Sequence, residues 1–165
     1  MVMRFQPLAI AAASFLLLTT AVGAAEPPPA RITFLVSARN TMRDISAGDL
    51  RRIFLGEISR WANGHRIIVF VRSSETPEGR LFLDRLVRMS DIDYSQWWLG
   101  AVFRGRSANP PRILASDEAM VKAVAATPDA IGFVAAPPAA IEPGVGVLTI
   151  NGRTASDPDY PIRGR

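Results

Sequence analysis

The feature that most restricts this chain is an alternation of two periodicities. Short apolar runs rich in β-formers, "RITFLVS" (31–37) and "RIIVFVR" (66–72), give way to stretches whose apolar residues recur three and four apart. Continuous apolar runs of that length read as buried strands, and the three-and-four spacing reads as helices. Strands alternating with helices over ~140 residues predict one α/β domain in three layers, a mostly parallel sheet with flanking helices. The sequence has no cysteine, so core packing alone must hold that domain together.

The helical stretches carry their own start and stop signals. Leu50, Ile53, Phe54 and Ile58 follow a capping-box-like start at Ser46 and Asp49, and Gly56 ends the segment. In 79–89, Phe82, Leu86 and Met89 share a face that Leu83 and Val87 widen. The next helix restarts at Ser90, with Asp93 three residues on, and presents Trp97, Trp98, Ala101 and Val102. After a loop and short strand in 107–115, Ser116 caps a helix with Met120, Val121 and Val124 as its stripe, stopped at Pro128. Residues 131–135 and 145–150 read as further strands, and the tail 151–165 as extended and turn-rich.

The first residues predict export. Arg4 precedes an apolar stretch from Leu8 to Leu18 and small residues near Ala24 and Ala25, the pattern of a cleaved signal peptide. The alternative is a retained membrane anchor, for which ~20 apolar residues are wanted. The expected organisation is a signal peptide at 1–25, a proline-rich tether at 26–30 and one domain at 31–165, working in the periplasm.

Several functions are excluded or disfavoured. His65 is the only histidine and cysteine is absent, so no histidine-rich or thiolate metal site can form. The net charge of +4, or +3 once Arg4 is removed, is spread along the chain. A nucleic-acid surface wants concentrated basic charge with aromatics between. No nucleophile elbow, metal motif, phosphate loop or dinucleotide fingerprint occurs, so neither catalysis nor a cofactor is expected. Trp61 reads as a plug at the core edge, or else as a ligand platform. Trp97 and Trp98 cannot both face inward on one helix, so one of them is a candidate for a partner surface.

The candidate site is "VRSSETPEGR", residues 71–80, between the second strand and the helix that follows. Thr76 suits an N-cap and Pro77 the first helical position. The helix start, with the amides of Gly79 and Arg80, the hydroxyls of Ser73, Ser74 and Thr76, and the guanidinium of Arg72, has the parts of an anion site. Glu78 opposes that reading, because a carboxylate in the first turn already complements the helix dipole. The residues leave two readings open: an anion site, or a self-capped helix with surface arginines.

Together "DLRRIFLGEISRWANG", "IIVFVR", "WWLGAVFRGRSANPP", "AVAATPDAIGFV" and "DPDYPI" resemble, in order, the PstS-like phosphate-binding proteins of ABC transporters, especially their small periplasmic members. The resemblance implies a lobe of the type II periplasmic-binding-protein kind. It implies a non-catalytic module for phosphate or a related oxyanion, centred on Arg72, Ser73, Ser74, Thr76, Gly79 and Arg80. In that family an Arg, an Asp and a Ser-Gly-Thr run hold the anion between two lobes. By position, the Arg matches Arg72, the Asp falls on Ser74, and the run falls on Thr76, Pro77 and Glu78. Only Arg72 and the hydroxyl of Thr76 are kept, and the length leaves room for one lobe. The alternative expectation is therefore a protein that keeps the fold and acts through a protein partner in the periplasm or inner membrane. A homodimer that rebuilds a two-lobed cleft is a third.

Overall fold

A computed structural model of the chain describes residues 30–105, 109–136, 138 and 142–164. The expected signal peptide and most of the tether lie outside the described residues. Strand β1 (Ile32–Ser37) is buried along its whole length. It occupies an inner position of a five-stranded sheet that also holds β3 (Ile68–Arg72), β4 (Arg112–Leu114), β5 (Ala130–Ala135) and β6 (Val145–Val147). The order across the sheet is β4-β3-β5-β1-β6. β4, β3 and β5 run parallel, and β1 is antiparallel to both β5 and β6. Four strands thus share one direction and β1 alone is reversed, which gives the mostly parallel sheet expected from the sequence.

Alternate residues of β1 feed two cores, as the pleat requires. Ile32, Phe34 and Val36 join one with α1 (Ala47–Phe54), α2 (Pro77–Leu81) and α3 (Asp91–Phe103). Leu35 joins the other with Met120, Val121 and Val124 of α4 (Asp117–Ala126). This is the three-layer arrangement. On the first face Phe82 and Phe133 stack with centroids 4.8 Å apart, and Phe54 meets Phe34 edge-on at 5.8 Å. Each buried ring contributes roughly 1.5–3 kcal/mol of transfer free energy.

The predicted caps form. Ser46, Thr76, Ser90 and Ser116 each accept the backbone N–H three residues on, at 3.0–3.1 Å. Three segments differ from their sequence reading. After Leu81 the helix widens into a π-helical stretch, Phe82–Val87, closed by Arg88 at φ 57°. Phe82, Leu83, Leu86 and Val87 all face inward along it. The run 145–150 is split at the buried Leu148 into β6 and β7 (Thr149–Ile150), the latter pairing in parallel with β2 (Asp44–Ile45) as a separate small sheet. The tail is not simply extended, since Tyr160 and Ile162 are buried in the first core.

Candidate functional site

The turn 73–76 leaves the carboxyl end of β3, the end of an α/β sheet where ligands usually sit. Its polar groups are largely used within it. Thr76 Oγ1 donates to Ser73 O at 2.8 Å while accepting from Gly79 N at 3.0 Å. Ser73 O also accepts from Thr76 N, and Ser73 Oγ accepts from Glu75 N at 3.3 Å. Arg80 is exposed and donates to Glu75 O at 2.7 Å. Gly79 lies so close to the turn that a Cβ there would sit 1.9 Å from Ser73 O. The helix and the turn therefore close on each other.

Arg72 is the buried charge of this site, its side chain only 8% exposed. Nη1 donates to Leu114 O at 3.0 Å. Nε stands 3.2 Å from Asp117 Oδ1, and Nη2 stands 3.9 Å from Glu78 Oε2. The Nε and Oδ1 atoms are close without the alignment of a hydrogen bond, so that contact is chiefly Coulombic. Asp117 Oδ2 meanwhile accepts from Ala135 N at 3.0 Å, which fixes the carboxylate between β3 and β5. One guanidinium facing two carboxylates leaves a formal charge of −1.

Beside the turn is a cavity of about 250 Å³ between β3, α3 and the approach to β4. Ser73, Ser74, Phe82, Tyr94, Trp98 and Ile113 are among its lining residues, with Arg72 and Asp91. The structure thus gathers Arg72, Ser73 and Ser74 on one cavity wall. Thr76 and Gly79 are turned to capping, and Arg80 lies outside that wall. The Tyr94 hydroxyl donates to Phe54 O at 2.8 Å, and burial raises its pKa above the usual phenol range. Among the described residues no cluster of His, Asp and Glu is suited to a metal. No helix among them is long and apolar enough to cross a membrane.

Sequence reasoning missed Asp117, which lies in the first turn of α4. Its second role follows from the pairing of β3 with β4, which sets Arg72 opposite Leu114 and brings the start of α4 over the arginine. Of the tryptophans, Trp61 is buried at the core edge and donates to Asp129 O at 2.9 Å. Trp98 is buried, and Trp97 is half-buried with its N–H on Leu55 O.

No protein-family model matches the chain, and no curated protein does. Solved structures do. PstS from Borrelia burgdorferi superposes with a TM-score of 0.68 at 18% identity, over 84% of this chain and 56% of that one. A Clostridium perfringens structure with bound phosphate gives 0.65 at 14%, over 83% and 54%. An ABC-type phosphate transport receptor from Vibrio cholerae gives 0.64 at 13%, over 83% and 55%. The fold is that of a type II periplasmic-binding-protein lobe, as found in PstS-type phosphate-binding proteins. The chain spans little more than half the length of these structures.

Proposed function

We propose that this protein is a non-catalytic module with the PstS-type fold that works through a protein partner, with its β3–α2 turn closed to free oxyanions. It acts outside the cytoplasm, exported by the signal peptide at 1–25 and spaced by the tether at 26–30. The observation that carries this reading is the state of Arg72: buried, flanked by Asp117 and Glu78, and bonded to Leu114 O. An arginine so neutralised supplies little attraction for phosphate, and releasing it would leave two carboxylates unpaired. The match to solute-binding folds supports the absence of catalysis.

The second reading is an oxyanion-binding module serving ABC-type phosphate uptake. It is favoured by the place of Ser73 and Ser74 beside Arg72 on the cavity wall. Calorimetry with phosphate and with sulfate at low salt separates the two. The first reading expects no saturable heat up to millimolar ligand. Saturable heat at micromolar phosphate overturns it in favour of the second.

A further inference from the structure

Helix α3 is apolar on two opposite sides. Tyr94, Trp98 and Ala101 are buried in the core. Yet Ile92 is 69% exposed, Leu99 60%, Val102 42% and Phe103 82%. At about 100° per residue, Ile92, Leu99 and Phe103 fall within roughly 40° of one another, on the side away from the core. Val102 flanks them. A helix that is apolar on two sides is ordinarily covered on both, and exposed large apolar side chains gathered on one face mark an association surface.

We infer that the cover is a second copy of this chain, its α3 packed antiparallel on the first about a two-fold axis. The inference rests on the reading that the protein acts through a protein partner, and it names that partner. Charge selects this occupant and this direction. Asp93 and Arg104 are both exposed and project from the same flank of the stripe, near its two ends. In a two-fold antiparallel pair each flank meets the same flank of the other helix. Asp93 therefore faces Arg104 of the second copy, twice. In a parallel two-fold pair unlike flanks meet, so Asp93 falls beside Asp91 and Ser95 of the second copy and Arg104 beside Val102, and neither finds an opposite charge.

The apolar residues fit the same register. Aligning Ile92 with Phe103 of the second copy also sets Gln96 level with Leu99. One Asp93 oxygen accepts the Ser90 hydroxyl at 2.7 Å, and the other is left for the arginine. Arg104 lies back over Gly100, whose added Cβ would sit 2.9 Å from Nη1. Among the described residues Arg104 has no carboxylate within ion-pair distance.

The chain has no cysteine, so introduced cysteines report the register. Ile92→Cys and Phe103→Cys variants of the full chain, mixed under mild oxidation, are expected to give a disulfide-linked dimer. Each variant alone should give at least tenfold less, because its two copies then stand about eleven residues, roughly 16 Å, apart along the helix. Sedimentation supplies a second readout. Asp93→Arg or Arg104→Asp alone should weaken the dimer at least tenfold, and the two together should restore it.

No cross-link in the mixture, equal cross-linking by the single variants, or no restoration by the double reversal overturns the pairing. A monomer at all concentrations does so too, whether α3 is then covered by the N-terminal apolar segment or by another protein. Phosphate calorimetry on the same sample keeps the two conclusions apart. A monomer without phosphate heat overturns the pairing alone, and a dimer with saturable heat overturns only the earlier reading.

Discussion

Arg72 Nε lies 3.2 Å from Asp117 Oδ1, tying the end of β3 to the first turn of α4. The arginine side chain is 8% exposed and the carboxylate 37%, so losing one partner is not equivalent to losing the other. Asp117→Ala leaves a buried guanidinium with only the more distant Glu78 as counter-charge, and removes the acceptor of Ala135 N–H. It should destabilise the fold by about 3 kcal/mol. Arg72→Met leaves Asp117 and Glu78 without their cation, but both retain access to water, and it should cost about 1 kcal/mol. Urea midpoints at unchanged slope measure both, and equal losses would show that Asp117 is buried in solution as deeply as Arg72.

The same ion pairs predict a gain of function. Glu78→Gln with Asp117→Asn keeps the shapes of both side chains and removes both charges facing Arg72. Affinity for phosphate or sulfate should then rise at least tenfold over the unaltered protein, about 1.4 kcal/mol. Titration calorimetry at low salt reads it, and added salt should weaken it. Unchanged affinity would mean that the shape of the closed turn, and not its charge, excludes the anion.

Two glycines give opposite expectations for one added methyl group. At Gly79 the Cβ would lie 1.9 Å from Ser73 O, a backbone atom with little room to retreat. Gly79→Ala should therefore cost about 3 kcal/mol by overpacking. At Gly48, within α1, the nearest atom to an added Cβ is Ser46 Oγ at 3.8 Å. Gly48→Ala should be neutral or stabilise by up to about 1 kcal/mol, as alanine does in a helix. Thermal unfolding of the two variants side by side decides it.

What could be read from the sequence divides by range along the chain. Ser46, Thr76, Ser90 and Ser116 were legible as caps because each bonds an amide three residues away. The order of strands and helices was legible because burial imposes periodicity. The partner of Arg72 was not, since Asp117 is 45 positions on and meets it only once β4 has paired with β3. Nor was the π-helical stretch, because Phe82, Leu83, Leu86 and Val87 suit an α-helical stripe as well. The tail carried too few apolar residues to signal burial, yet Tyr160 and Ile162 close one side of the first core. The α3 stripe was half seen. The adjacent tryptophans drew attention to that helix, but Trp98 faces the core and the exposed face belongs to Ile92, Leu99 and Phe103.

The tail also sets an acid limit. Asp157 accepts from Thr154 N and from Thr154 Oγ1, and Tyr160 N donates to Asp157 O at 3.2 Å. Those bonds, the backbone one first, hold the Asp157 carboxyl below its ordinary pKa. A carboxyl whose folded pKa is depressed adds stability that is complete above its unfolded value and is lost as pH falls through the folded one. The wild-type advantage in Tm over Asp157→Asn should thus be full at pH 7. It should shrink as pH drops below ~4, the ordinary aspartate value, and vanish once the group is protonated in both states. Asp44 is held low in the same sense, first by the Thr149 hydroxyl and then by Gly152 N–H. Asp44→Asn should therefore show the same closing gap, through the β2–β7 pairing. Near-ultraviolet circular dichroism follows Tyr160 as the tail loosens. A Tm gap that stays constant from pH 7 to pH 2 would show that Asp157 acts through its shape alone.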